Sequence, residues 1–208
     1  MRSAHDPEIG GKYMTISEWI EQYRGLDGRF ETMKKALELL HEREGKVIIE
    51  TGTTRMKDDW GAGMSTFVFG SYCKEFGGHI TTVDISFQNM SVCREVTKDF
   101  TNEITYIISD SLLFLTLFQE TIDLLYLDSV DCPIEILTEK DQIDLMFAQN
   151  HQLNEAKIAL PKVSEKGLIL LDDNQFSFGG KTALTKVYLK EQGWKELLGS
   201  QQSLWSKI

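Results

Sequence analysis

Five short runs constrain this chain more than any other feature. Residues 46–51, 79–84, 104–109, 122–128 and 167–172 are near-continuous stretches of Val, Ile, Leu, Thr and Tyr. A strand with one wet face alternates apolar and polar residues, so runs without alternation belong to strands covered on both faces. Helix-length segments separate them, at 64–76, 87–100, 111–119 and within 139–163. Strands alternating with helices imply a parallel sheet with right-handed crossovers, an α/β architecture with helices on both faces. The tail breaks the pattern: after a helix at 182–192, the runs 193–198 and 202–208 flank Gly199-Ser-Gln201 and read as an antiparallel hairpin. The expected sheet is therefore Rossmann-like and seven-stranded, mostly parallel, with a C-terminal antiparallel hairpin.

Ahead of the first strand, residues 16–44 read as helical. Between 30 and 40 apolar residues recur at spacings of three and four, which sets that helix against the sheet. The first dozen residues carry Gly10-Gly11 without periodicity and are expected to form a mobile arm or lid. The expected organisation is an N-terminal arm and helices over residues 1–45, acting as a cap, and a ligand-binding domain over 46–208, in one globular unit of 208 residues.

With 22 Lys and Arg against 32 Asp and Glu, the net charge of −10 argues against nucleic acid as a partner, because phosphate backbones are bound by clustered cations. The apolar runs are strand-sized and the N-terminus lacks the apolar centre of a secretory signal, so no membrane partner and a cytoplasmic location are expected. Cys73, Cys93 and Cys132 are odd in number and show no Cys-x-x-Cys spacing, as expected for reduced thiols. A homo-oligomer is compatible with all of this.

In open α/β sheets, ligands sit beyond the carboxyl ends of the strands where the strand order reverses. The first run ends at Glu50-Thr-Gly52-Thr53, where a glycine lets backbone approach a ligand closely. No Gly-Lys-Ser/Thr follows, which excludes a phosphate loop, and Gly52 precedes Thr54 rather than a second glycine, which weighs against a nicotinamide dehydrogenase. The second run ends at Asp84, whose carboxylate can take two hydrogen bonds from a ribose diol or cap the next helix. The third ends at Ser109-Asp110, which suit an adenine edge or a helix N-cap. The fourth and fifth end at Asp128 and at Asp172-Asp173-Asn174. Hard cations take such oxygen ligands, so Asp128, Asp173 and Asn174, with Asp172 as substitute, form a candidate Mg²⁺ site; the same residues also suit a polar turn. His151, in the helix after the fourth run, is a candidate base or metal ligand, a histidine with neither role being the alternative.

Together the segments Ile48-Ile-Glu-Thr-Gly52, Gly78-His-Ile-Thr-Thr-Val-Asp84, Ser109-Asp-Ser111, Asp123-Leu-Leu-Tyr-Leu-Asp128 and Gly167-Leu-Ile-Leu-Leu-Asp-Asp-Asn174 resemble class I S-adenosylmethionine-dependent methyltransferases, from about residue 46 to the C-terminus. The acidic strand ends are similar to those of cation-dependent small-molecule O-methyltransferases of the catechol and caffeoyl-CoA type. The resemblance implies that Glu50, Gly52 and Thr53 line the methionine part of the cofactor, that Asp84 and Ile85 meet its ribose, and that Ser109, Asp110 and Ser111 approach its adenine. It adds Ser65 and Asp128 to the cofactor-binding set. The implied reaction is methyl transfer to a hydroxyl of a small-molecule acceptor held by a divalent cation, with Asp128 and His151 as catalytic residues. The alternatives are a metal-independent N- or carboxyl-methyltransferase and a non-catalytic module of the same fold.

Two departures stand out. An insert, Arg55-Met-Lys-Asp-Asp-Trp-Gly-Ala62, stretches the loop before Gly63-Met-Ser-Thr66; its Arg55 is a candidate partner for the cofactor carboxylate and its Trp60 a candidate cover for the pocket, with a longer surface loop as the alternative. Trp19, Phe176, Phe178 and Tyr13 are further candidates for the pocket mouth, with ordinary hydrophobic packing as the alternative. The catechol enzymes also carry a lysine base soon after the fourth-strand aspartate, where this chain has Asp128-Ser-Val-Asp-Cys132.

Overall fold

The computed structural model describes residues 8–9, 12–61 and 64–207. Most of the expected N-terminal arm, and Gly63 in the stretched loop, lie outside the described residues.

The five runs form parallel strands β1 (Val47–Thr51), β2 (His79–Asp84), β3 (Ile104–Ile108), β4 (Ile122–Leu127) and β5 (Val163–Leu171). The tail gives β6 (Lys195–Gly199) and β7 (Ser203–Ser206), and the sheet order is 3-2-1-4-5-7-6. β7 runs against the other strands of this sheet, pairing antiparallel with both β5 and β6. This is the Rossmann-like seven-stranded sheet with its terminal hairpin. The order reverses between β1 and β4, which pair in register with Ile49 opposite Leu125.

The unbroken apolar runs are explained by two cores. Successive side chains of a strand point to opposite faces, so Ile48, Tyr126 and Leu170 enter one core while Ile49, Leu125 and Ile169 enter the other. Helices α1 (Ile16–Trp19), α2 (Phe30–Glu42) and α3 (Ser65–Phe76) supply Trp19, Phe30, Leu37 and Phe69 to the first core. Ala156 of α6 (Glu139–Ala159), Leu115 of α5 (Ser111–Leu117) and Leu189 of α7 (Ala183–Glu191) fill the second. The remaining crossover helix, α4 (Phe87–Val96), buries Met90 and Cys93.

Local chemistry sets the helix starts. The Thr138 hydroxyl accepts from the Asp141 N–H while the Asp141 carboxylate accepts from the Thr138 N–H, a reciprocal cap that starts α6. Ser86 caps α4 and Asp110 caps α5.

Trp19, Tyr23 and Phe30 of the N-terminal region belong to the core. Trp19 is 3% exposed and meets Tyr23 and Phe76 edge-on. Trp60 packs against Tyr23 and Phe67, with ring centroids 6.0 Å apart in each pair. Both indoles are taken up by packing, the alternative to a pocket role that the sequence left open. Among the described residues, no helix is long and apolar enough to cross a membrane.

Candidate functional site

At the reversal point the ends of β1 and β4 touch. Gly52 adopts φ +81°, and a Cβ built there would fall 2.3 Å from the Asp128 carbonyl oxygen. A side chain is excluded both by this contact and by the left-handed backbone. The Gly52 N–H donates to the Val83 carbonyl at 2.8 Å and the Asp128 N–H to that of Thr51 at 2.9 Å, locking three strand ends together.

Behind this junction Glu50 is fully buried. Its Oε2 accepts from the hydroxyls of Thr66 and Thr82, each at 2.6 Å, while Oε1 has no hydrogen-bond partner. Burial pushes this carboxyl up to about 7, against the pull of the Ser65, Thr66 and Thr82 hydroxyls. Thr53 Oγ1 lies 3.2 Å from Thr66 Oγ1, so Glu50, Thr53, Thr66 and Thr82 form one buried hydroxyl–carboxyl network, with Ser65 buried as well.

Asp84 faces a cavity, with Ile85 exposed beside it. Its carboxylate is oriented by the Ser86 N–H at 2.7 Å and by Asn89 Nδ2 at 3.2 and 3.4 Å. Because Ser86 is the helix cap, Asp84 remains available as an acceptor toward the cavity. Asp110 does cap its helix, accepting from the Leu113 N–H at 2.9 Å. Ser111 Oγ lies 3.0 Å from His151 Nε2, and the Glu155 carboxylate lies 3.5 Å from the same nitrogen. Glu155 raises the His151 pKa above its ordinary value.

Two adjoining cavities follow from this arrangement. One, of about 240 Å³, runs from Gly52 and Asp84 to Ser109, Ser111 and His151. The other, of about 160 Å³, runs from Gly52 and Asp84 to Thr53, Arg55 and Asp128. Gly52, Asp84, Ile85 and Ser129 line both, so the two form a trough with the Asp84 carboxylate at its middle. His151 stands at the end opposite Asp128. A shallower hollow of about 460 Å³, lined by Val130, Asp131, Cys132, Asp141, Asp144 and Phe147, opens beside it. Arg55 Nη1 reaches Asp131 Oδ2 at 2.6 Å across the trough's polar end. The three cysteines are free thiols.

The acidic strand ends do meet, but around the protein's own cations. Lys181 Nζ contacts Asp128 Oδ1 directly, Asp173 Oδ2 at 3.1 Å and the Val130 carbonyl at 3.2 Å. Arg29 Nε lies 3.0 and 2.9 Å from the two oxygens of Asp172, which also accepts from the Tyr126 hydroxyl at 2.5 Å. Asn174 turns away: its Oδ1 accepts from Thr182 and Lys186 and its Nδ2 donates to Ser200. The expected Mg²⁺ ligands Asp128, Asp173 and Asn174, and Asp172 in reserve, thus do not fit a divalent cation. Among the described residues, no set of three or more His, Cys, Asp and Glu side chains is arranged to hold a metal ion.

The cluster's electrostatics follow its charge count. Burial disfavours the ionised form of Asp172, but Arg29 and then Lys181 outweigh it and hold its pKa below the usual carboxylate range. Burial, aided by the neighbouring Asp172 and Asp173, lifts Asp128 above that range although Lys181 opposes it. Asp128 is the cluster's most accessible carboxylate, with 23% of its side chain exposed against 0% for Asp172 and 11% for Asp173. Sequence reasoning missed Lys181 and Arg29. Gly179-Gly180 before Lys181 is a local signal: Gly180 has φ +55°, and a Cβ there would fall 1.7 Å from the Asp173 carbonyl oxygen, so the turn rests on Asp173 and delivers the lysine into the cluster. Arg29 carries no comparable signal, being 143 residues from its partner.

The fold is similar to that of the S-adenosylhomocysteine-bound methyltransferase PaMTH1 of Podospora anserina, with a TM-score of 0.59 and 14% identity over 93% of this chain and 86% of that one. It is also similar to a methyltransferase from Geobacter sulfurreducens (TM-score 0.55, 14% identity, 96% and 88% covered) and to an rRNA methylase from Streptococcus thermophilus (0.56, 9%, 85% and 96%). No curated protein sequence matches the chain significantly. A family profile described as "Methyltransferase domain" matches residues 60–174, more than half of the chain, spanning β2 to β5 and ending at Asn174. The chain therefore belongs to this methyltransferase-domain family.

Proposed function

We propose that the chain transfers the methyl group of S-adenosylmethionine to a hydroxyl of a small molecule, without a divalent cation. The observation that carries this reading is the trough itself, with an oriented carboxylate at its centre, hydroxyls and an imidazole at one end, and charged groups at the other.

The cofactor, when bound, supplies a methyl group on a cationic sulfur that departs as a neutral thioether. Asp84 accepts the two ribose hydroxyls from the middle of the trough. Ser109, Asp110, Ser111 and His151 meet the adenine edge. Thr53 and Arg55 take the amino-acid end, and Arg55 exchanges the exposed Asp131 carboxylate for that of the cofactor. Three carboxylates and two cations leave the Asp128 cluster with one excess negative charge beside the trough. That charge would complement a cationic sulfur, and Asp128 would accept the proton that the acceptor's hydroxyl gives up.

The neighbouring hollow suits a small acceptor, and its carboxylates Asp131, Asp141 and Asp144 weigh against a phosphate backbone there. The same carboxylates favour an amine acceptor as the second reading. The test offers S-adenosylmethionine labelled in its methyl group to panels of small alcohols and phenols, of amines, and to ribosomal RNA. Label is expected in hydroxyl compounds. Label confined to amines would select the second reading, and label confined to RNA would overturn both.

A further inference from the structure

The disagreement between the acidic strand ends and a metal site points to a substitution of one cation for another. We propose that Lys181 is a resident cation, holding Asp128 and Asp173 in the place where a divalent ion would otherwise bridge them, and so makes the site independent of metal. The inference rests on the methyltransferase reading for its activity arm only.

Geometry and charge carry it. An ammonium has three N–H donors, and those of Lys181 have three acceptors: Asp128, Asp173 and the Val130 carbonyl. Its side chain is 1% exposed, so it is not a surface lysine resting on an acidic patch. The turn that delivers it is built for this purpose, since Gly180 lies against the Asp173 backbone and its carbonyl is held by Gln149 Nε2 at 2.9 Å. Asn174, which could complete an oxygen cage, is fixed elsewhere by Thr182, Lys186 and Ser200. Without Lys181, the three aspartates would face Arg29 alone. The deficit would then be two charges beside a lysine-sized space, a match for a divalent ion with oxygen ligands. Lys181 acts through Asp128 and is a positioning residue.

The test titrates Mn²⁺ into wild type, Lys181→Ala and Lys181→Met, following free Mn²⁺ by electron paramagnetic resonance, with thermal unfolding to establish that each variant folds. Wild type is expected to leave Mn²⁺ free and to transfer methyl equally well with or without EDTA. Lys181→Ala is expected to bind Mn²⁺ and to lose about 100-fold in methyl transfer, recovering with Mn²⁺. Lys181→Met, whose stem fills the space, is expected to lose activity without binding or recovery. Wild-type Mn²⁺ binding that Asp128→Asn abolishes would overturn the proposal, and this arm does not depend on any lysine variant folding. A folded Lys181→Ala that leaves Mn²⁺ free, or keeps full activity in EDTA, would overturn it equally. Should no acceptor be methylated at all, the function reading fails while the Mn²⁺ arm still decides the cation claim.

Discussion

Gly52 and Asp128 approach so closely that a Cβ on the first would fall 2.3 Å from the carbonyl oxygen of the second. This contact sets the floor of the trough. Gly52→Ala combines overpacking with a strained left-handed backbone, at a cost of about 2–4 kcal/mol. The expected result is a lower unfolding temperature together with loss of S-adenosylhomocysteine binding. An alanine variant with native stability and affinity would show that the strand ends separate freely.

Glu50 should give the fold a dependence on pH. Its folded-state pKa, raised by burial to about 7 from 4.5, means that the native state binds the proton more tightly than the unfolded chain. The contribution of Glu50 to stability is therefore greatest below about pH 4.5 and falls as pH rises through 7, by on the order of 3 kcal/mol. Glu50→Gln, neutral throughout, is expected to remove this fall. Parallel unfolding curves for the two proteins between pH 5 and 8 would contradict it.

Arg29 ties the N-terminal helices to the end of β5. Arg29→Met leaves Asp172 buried without its main partner, which costs about 3–5 kcal/mol. Asp172→Asn in the same chain should restore part of that loss, because it removes the charge that the arginine balanced. Denaturant unfolding of the two single variants and the double variant measures the coupling directly. Simple additivity would mean that the pair does not act as a unit.

His151 stands with Ser109 and Ser111 rather than with Asp128. His151→Ala is accordingly expected to raise the KM for S-adenosylmethionine about tenfold, the weight of one or two lost hydrogen bonds, with kcat nearly unchanged. A fall in kcat of about 100-fold with the loss of a pH-profile limb would instead restore His151 as the base.

The parts of this molecule that were legible in the sequence are those written in local pattern. Unbroken apolar runs gave the two-faced strands, and the tail after Gly193 gave the hairpin. Gly52 and Asp84 could be found because each sits at a strand end, where chain direction alone brings residues to the trough. What local pattern hides is pairing across the fold. Asp128 and Asp173-Asn174 read as metal ligands until the turn at Gly179-Gly180 is seen to carry Lys181 between them. Trp60, in the insert, read as a pocket cover because sequence shows its exposure to neighbours along the chain but not the ring of Tyr23 behind it. Boundaries shifted as well: β5 begins at Val163, the last residue of the helical segment and four residues ahead of the apolar run at 167.

Asp84 is proposed to hold the cofactor's ribose at the centre of the trough. Isothermal titration of S-adenosylhomocysteine into wild type and Asp84→Ala tests this most directly. Saturable binding to wild type, weakened at least about tenfold by the substitution through loss of charge-assisted hydrogen bonds, is the expected result. No binding to wild type, or equal affinity in both proteins, would contradict it.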